Sequence, residues 1–337
     1  MTTSDKNRKI IYAKRPTGVP TTDCFALQDT PVPVPEAGQA LVRNDFLSVD
    51  PYIRMRMEAK DSYAPVMVVG ETLVGRTVGQ IVTSHIDGFA PGDWVVGRLG
   101  WQDFSIAKAA DLQKIDIKAA PATAYLGALG STGITAWVGL MTFGQPKAGE
   151  TVLVSAASGA VGSVVGQLAK LQGCRVVGIA GGASKCALVK EAFGFDDCVD
   201  YKSPGFAAEL AAAVPGGVDV YFDNVGGPIL DAVLPLLNNF ARIPLCGLVS
   251  QYNATEPYGV KNLREIFNRR VTMRGFVLSD HKDLWPAATD ALAKAYAAGQ
   301  LKYRETITDG LENAPQAFID MLGGSNVGKQ LVRLRPA

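Results

Sequence analysis

The run Val152-Leu-Val-Ser-Ala-Ala-Ser-Gly-Ala-Val-Gly162 constrains this chain more than any other stretch. Residues 151–155 form a short apolar strand, and a glycine-bearing turn leads straight into residues 160–172. There Val161, Val164, Val165, Leu168 and Leu171 recur at helical spacing. The alternation then repeats. Strand 175–180 is followed by helix 184–193, strand 198–201, helix 205–214, strand 218–223 and helix 228–237, with further strands around 242–247 and 272–277. Strand and helix in turn predict an α/β fold, a doubly wound parallel sheet of Rossmann type. Pro244 cannot donate to a ladder and is expected at an edge or a bulge. Residues 283–300 read as an alanine-rich helix.

The first 120 or so residues differ in style. Segments 40–43, 77–83 and 94–98 read as short strands, separated by Pro-Glu-Ala-Gly and Pro-Gly-Asp turns. Pro31, Pro33 and Pro35 forbid helix and suit an extended edge or connector. This half is expected to be mostly β, a barrel or a coiled sheet. The strand-like run 330–334 at the end of the chain is expected to return to it.

Function classes narrow with charge and cysteine usage. With 33 basic and 32 acidic residues, net charge +1, the 337-residue chain offers no field for nucleic acid or a membrane surface. It shows no apolar run of about 18 residues, the usual spanning length, and no signal-peptide core over residues 1–14. A cytoplasmic location is expected. Cys24, Cys174, Cys186, Cys198 and Cys246 are odd in number and lack zinc-knuckle spacing, so reduced core residues are expected.

The turn at Ala157-x-Gly159-x-x-Gly162 carries the chemistry. Gly159 would let backbone approach a diphosphate, Gly162 would let the helix pack on the strand, and the helix N-terminus would face the negative charge. Alanine replaces the first glycine of the usual fingerprint. An NAD-binding chain usually places an acid about 20 residues beyond the glycines. Here strand 175–180 runs into Gly181-Gly-Ala-Ser-Lys185, with no acid. A carboxylate would repel a 2′-phosphate, whereas small residues and Lys185 would accept it, so NADPH is expected.

No metal is expected. Zinc needs three or four N, S or O ligands at one point. Where zinc alcohol dehydrogenases of this two-domain plan read Gly-His-Glu, this chain reads Val69-Gly70-Glu71, and its two histidines, His85 and His281, are dispersed. Without a Lewis acid the substrate must be open to hydride unaided. A C=C conjugated to a carbonyl fits, because its β-carbon is already electrophilic. A quinone reductase, or metal-free carbonyl or alcohol redox chemistry, are the alternatives.

Several motifs together carry a resemblance. They are Pro33-Val-Pro-Glu-Ala-Gly-Gln, Leu47-Ser-Val-Asp-Pro-Tyr-Ile-Arg-Met-Arg-Met57, Gly130-Ser-Thr-Gly-Ile-Thr-Ala136 and the glycine turn. Tyr221-Phe-Asp-Asn-Val-Gly-Gly227, Cys246-Gly-Leu-Val-Ser-Gln-Tyr-Asn253, Gly275-Phe-Val-Leu-Ser279 and Asn326-Val-Gly-Lys329 continue it. The chain resembles the zinc-independent medium-chain dehydrogenase/reductases. The likeness is to the branch of prostaglandin reductase, leukotriene B4 12-hydroxydehydrogenase and 2-alkenal double-bond reductase.

The resemblance implies a GroES-like β domain for substrate over residues 1–125, completed by about 305–337. It implies a Rossmann domain for NADPH over 126–304, and a homodimer. By the same resemblance Gly159, Ala160, Val161 and Gly162 would bind the diphosphate, and Lys185 and Tyr201 the 2′-phosphate. Asn224, Cys246, Gly247, Ser250, Tyr252, Phe276, Val277, Leu278 and Asn326 would line the rest of the cofactor. Tyr52 matches a pocket tyrosine of the plant branch. The second tyrosine proposed there as proton donor is absent, since the matching stretch reads Glu265-Ile-Phe-Asn-Arg-Arg270. Water, Tyr252 with the cofactor ribose, or Tyr258 would take its place. Pocket shape would depend on loops 58–66 and 252–264.

Overall fold

The computed structural model describes residues 6–59 and 62–335, so residues 1–5, 336–337 and part of the 58–66 loop lie outside it. The chain divides into two compact units, one running to Leu126 and resuming at Glu305, the other Gly127–Arg304.

In the first unit β1 (Lys6–Tyr12) and β2 (Phe25–Pro31) form an antiparallel pair. Next come β3 (Ala40–Ser48), the short helix α1 (Tyr52–Arg56), β4 (Thr77–Ser84), β5 (Trp94–Gly97), β6 (Phe104–Ala107) and β7 (Leu112–Lys114). Central β3 pairs with β4 through two register shifts, one of them between Asn44 and Phe46. Gly79 faces that kink, where a Cβ would lie 2.1 Å from the Arg43 carbonyl oxygen, so only glycine lets the strands close. The buried Asn44 amide is satisfied by the Gln102 carbonyl, Ser105 Oγ and Thr77 Oγ1. Trp101, Phe25 and Phe318 fill the core beneath, with ring centroids 6.0–6.3 Å apart.

The second unit opens with α2 (Ser131–Val138), which continues as a π-helical turn, Gly139–Gly144. Then follow β8 (Thr151–Ser155), α3 (Gly162–Leu171), β9 (Arg175–Ala180), α4 (Ala183–Phe193), β10 (Asp197–Asp200) and α5 (Phe206–Ala213). After them come β11 (Val218–Phe222), α6 (Gly227–Val233), β12 (Leu237–Leu245), α7 (Arg264–Asn268), β13 (Thr272–Gly275) and α8 (Trp285–Ala297). The strands pair in parallel in the order β10-β9-β8-β11-β12-β13. That is the 3-2-1-4-5-6 order of a Rossmann sheet, whose direction reverses between β8 and β11. Alternate residues of β8 bury opposite faces. Val152 and Val154 pack with α2, α3, α4 and α8, while Leu153 packs with α5 and α6.

The chain then supplies β14 (Glu305–Asp309), α9 (Ala314–Leu322) and β15 (Lys329–Arg333). β15 pairs antiparallel with β3 and parallel with β14, so the tail belongs to the first unit. No helix among the described residues is long and apolar enough to cross a membrane.

Three expectations need correction. Helix 228–237 stops at Val233, because Pro235 forces a 3-10 turn over Leu234–Leu236, and β12 has begun by Leu237. Pro244 stands at neither edge nor bulge. β12 lies between β11 and β13, and the register shift comes earlier, opposite Val218–Val220. The ladder there loses a donor but keeps an acceptor, since the Asp223 N–H donates to the Pro244 carbonyl at 3.0 Å. Finally, the helix expected from residue 283 begins at Trp285, after a 3-10 stretch over Leu278–Leu284.

Candidate functional site

The turn between β8 and α3 is built on close backbone contact. Ala156 takes a left-handed φ of 49°, and a Cβ on Gly162 would lie 2.4 Å from its carbonyl oxygen. The helix start is thus pressed against the strand end. The Gly159 N–H donates to the Ala156 carbonyl at 2.9 Å and closes the turn. No side chain caps α3, and Gly159, Ala160 and Val161 are partly exposed. An anion is the natural partner for such an end. The alanine that breaks the glycine fingerprint, Ala157, is buried against β9. Its Cβ would sit 2.8 Å from a Cβ on Gly178, so the missing glycine is made good one strand away.

At the tip of β9, Gly181 lies under the Tyr201 ring, where a Cβ would come within 2.8 Å of it. Gly182, at φ 97°, donates its N–H to Asp200 Oδ1 at 2.7 Å, and the Lys202 N–H donates to the same oxygen at 2.9 Å. Those two bonds hold the Asp200 carboxyl below its usual range. Lys185 stands on the first turn of α4 beyond. Burial keeps its ammonium below the usual lysine range, and repulsion from Lys202 adds to the shift. Lys185, Lys202 and the half-exposed Tyr201 thus gather at one small-residue turn, beside an acid already committed to backbone.

At the sheet's reversal point, buried Asp223 ties three strand ends together. Its Oδ1 accepts from Ser155 Oγ (2.9 Å), Tyr221 Oη (2.8 Å), Val225 N (2.9 Å) and Gly226 N (3.0 Å). Its main-chain carbonyl accepts from the N–H groups of Cys246 and Gly247. Oδ2 is buried without a partner, and burial raises the carboxyl above its usual range. Ser155 Oγ accepts from the Asn224 N–H, and Asn224 Nδ2 donates to the Ser155 carbonyl, both at 2.8 Å. Ser250 donates both its N–H and its Oγ to the Val225 carbonyl. The Tyr252 hydroxyl accepts from Leu248 N at 3.4 Å and sits over Gly247, while burial raises its phenol. The Cys246 thiol is pushed up to about 12, by burial and then by Asp223.

The remaining residues fall as follows. Phe276 packs on Phe143 and Phe222 over Gly139; Val277 and Leu278 follow it, and the Leu278 carbonyl accepts from Trp285 Nε1 at 3.2 Å. The structure therefore brings 159–162, 185, 201, 224 and 246–252 to the carboxyl-end side of one sheet, with 276–278 just past β13. Tyr52 and Asn326 belong to the first unit. There burial, then Asp50, raises the Tyr52 phenol, and Asn326 Nδ2 donates to the Gly328 carbonyl. Tyr258 donates its hydroxyl to Asp231 Oδ2 at 2.9 Å.

Sequence reasoning missed Asp223, Ser155, Asp200 and Lys202. Its only available signal was polar residues closing apolar strands. Among the described residues no group of three His, Cys, Asp or Glu side chains is placed to hold a metal ion.

A parallel sheet whose strand order reverses, with an uncapped helix at its switch point, has the architecture of a dinucleotide-binding fold. Comparisons narrow the class. Residues 8–115 match the family model described as the N-terminal domain of oxidoreductase, and residues 160–294 match the one described as zinc-binding dehydrogenase. The chain is 46% identical to the NADPH-dependent curcumin reductase of Escherichia coli, over 98% of this chain and 97% of that one. It is 40% identical to the NADP(+)-dependent 2-alkenal reductase of Nicotiana tabacum, over 97% of each. The crystal structure of CurA from Vibrio vulnificus in complex with NADPH superposes with a TM-score of 0.94 at 44% identity, over 98% of this chain and 100% of that one. The chain belongs to the medium-chain dehydrogenase/reductase family, in its zinc-independent branch.

Proposed function

We propose that this chain is an NADPH-dependent reductase of C=C bonds conjugated to an aldehyde or ketone, working without metal. The observation that carries the cofactor reading is the pairing of an uncapped, glycine-walled α3 start with the Lys185–Lys202 turn one strand away. Gly159 to Gly162 would cradle the diphosphate, and Lys185, Lys202 and Tyr201 the 2′-phosphate. Asn224 and residues 246–252 would form the wall at the switch point. A nicotinamide held there would supply the hydride that reduces the β-carbon of the alkene. Holding nicotinamide and alkene in a near-attack arrangement can supply roughly 7–11 kcal/mol of the barrier. The residues 1–125 and 305–337 would hold the substrate. The raised phenols of Tyr52 and Tyr252 stay protonated at neutral pH, as hydrogen-bond donors to a developing enolate must. The similarity to a curcumin reductase and a 2-alkenal reductase supports an enone or enal as the alkene.

Product analysis tests the reading. Incubated with NADPH and a panel of 2-alkenals, aryl enones and quinones, the chain is expected to yield saturated carbonyls, and prolonged chelation beforehand is expected to leave the rate unchanged. Allylic alcohols as products, or quinone turnover alone, would point to the alternatives.

The same reading includes a homodimer. β13 is the outer strand of its sheet, and Phe240, Leu263 and Phe267 near it are 65%, 56% and 83% exposed. A bare edge beside apolar side chains is a template for pairing with a second copy. Sedimentation velocity is expected to give a dimer; a monomer at micromolar concentration contradicts this.

A further inference from the structure

The first unit buries an ion pair that the proposed reaction does not use. Lys329 opens β15 and Asp50 stands in the turn between β3 and α1, and Lys329 Nζ meets Asp50 Oδ1 at 2.9 Å, both side chains buried. Nζ also donates to the Val49 carbonyl at 2.8 Å, and Ser48 Oγ donates to Asp50 Oδ2 at 2.6 Å. The Val49 N–H donates to the Gln330 carbonyl at 3.2 Å. Residues 48–50 are thereby fastened to the start of β15. The Asp50 and Pro51 carbonyls then accept from the Ile53 and Arg54 N–H groups and begin α1, whose first residue is Tyr52. A five-residue helix without a side-chain cap cannot hold its own direction. Its far end is held by Tyr12 Oη on the Met57 carbonyl at 2.8 Å and by Arg54 Nη2 on the Gly18 carbonyl at 2.9 Å. Its start, with Tyr52, is held through the ion pair. Two observations favour orientation over stability as the pair's role. Desolvation offsets most of the attraction within a buried ion pair, so such a pair is a weak source of stability. Lys329 also has a second acid at hand, since Glu305 faces it on the β14–β15 rung. Among the described residues Glu305 Oε1 has no hydrogen-bond partner, and burial raises that carboxyl above its usual range. The ammonium reaches the acid on the Tyr52 turn instead.

We propose that Asp50 and Lys329 are positioning residues for the reduction, fixing the start of α1 and with it Tyr52. This rests on the reading that Tyr52 faces the substrate. The effect is confined to the substrate side. Asn326, expected to line the cofactor, lies three residues before Lys329 but has its own anchors. Its Nδ2 donates to the Gly328 carbonyl at 2.9 Å, and the Val327 N–H donates to Thr306 Oγ1 at 3.0 Å. β15 itself stays paired with β3 through Leu331, Val332 and Arg333. Loss of the ion pair therefore loosens Tyr52 and leaves the cofactor grip as it was.

The test uses the full chain, NADPH and benzylideneacetone. Lys329→Met alone strands a buried carboxylate and is expected to lower both Tm and kcat. Lys329→Met combined with Asp50→Asn removes both charges, so Tm should recover. The kcat of this double variant should not, staying roughly 10–100-fold down, as misplacement remote from the chemistry costs. Its NADPH affinity, read by fluorescence titration, is expected to be unchanged. Lys329→Arg, which keeps the charge, should retain more of kcat than Lys329→Met. In a Tyr52→Phe background the double substitution is expected to add little, because the pair acts through that residue. Recovery of kcat together with Tm makes the pair a matter of stability alone and overturns the proposal, as does a loss that multiplies with that of Tyr52→Phe. Failure of the enone reading shows separately, as a wild type that reduces no enone or enal. Hydrogen exchange then judges the clamp without turnover. The amides of residues 52–57 should exchange faster in the double variant, while those of α3 and β11 keep their protection. Equal exchange over 52–57 in wild type and double variant removes the clamp whatever the turnover.

Discussion

Gly162→Ala is expected to weaken NADPH and NADH alike, by on the order of 100-fold or more, as read by fluorescence titration of the full chain. The added methyl would stand 2.4 Å from the Ala156 carbonyl oxygen and 2.9 Å from its carbon, both backbone atoms that cannot swing aside. Either α3 backs away from β8 or the Ala156 turn, already at a left-handed φ, reopens. Both movements would take the first N–H groups of α3 away from the place proposed for the diphosphate. Each such bond to a charged group is worth about 1.5–3 kcal/mol, so losing two gives the stated factor. Overpacking also costs about 1–3 kcal/mol of stability, so a lowered Tm should accompany the loss. Gly159→Ala is the milder comparison, since its Cβ would lie 3.1 Å from the same oxygen. If Gly162→Ala binds NADPH normally, the turn is a packing feature and the diphosphate lies elsewhere.

The parts of this site that could be read from sequence are those set by local rules. β8 and β9 match their expected bounds because each is an apolar run closed by small residues, and helical spacing located α3, which begins at Gly162 rather than at 160. What long-range pairing creates was not legible. β1 begins Lys-Asn-Arg-Lys, a polar start that gave no strand signal. It is a strand because β2 pairs along its whole length and because Arg8 reaches Asp103 and Glu312. Helix α1 is too short to show a period. Asp223 looks like a turn residue until β8 places Ser155 Oγ 2.9 Å from it, across 68 residues of chain. Gly178 gave no hint that it makes room for Ala157. Pro244 misled because a proline rule concerns donors, whereas this rung keeps its acceptor.

Lys185→Ala should separate the two cofactors where Gly162→Ala does not. NADPH affinity is expected to fall roughly 10–100-fold, the worth of one charge-assisted bond, while NADH changes little. The pH dependence gives the same claim a second, independent reading. In the free protein Lys185 sits below the usual lysine range, pushed there by burial and by Lys202. A bound 2′-phosphate would reverse both effects and raise it. Binding therefore takes up a proton wherever the free lysine is deprotonated. The NADPH advantage is full below the free-protein pKa and declines as pH climbs through it. On the acid side it declines again as the 2′-phosphate gains its second proton near pH 6. Lys202→Ala removes the repulsion, so the alkaline limb should move upward even as some affinity is lost. Lys185→Arg keeps the charge and should flatten that limb, because a guanidinium does not titrate in this range. A purely structural Lys185 would lower NADH and NADPH together and leave the limb where it was.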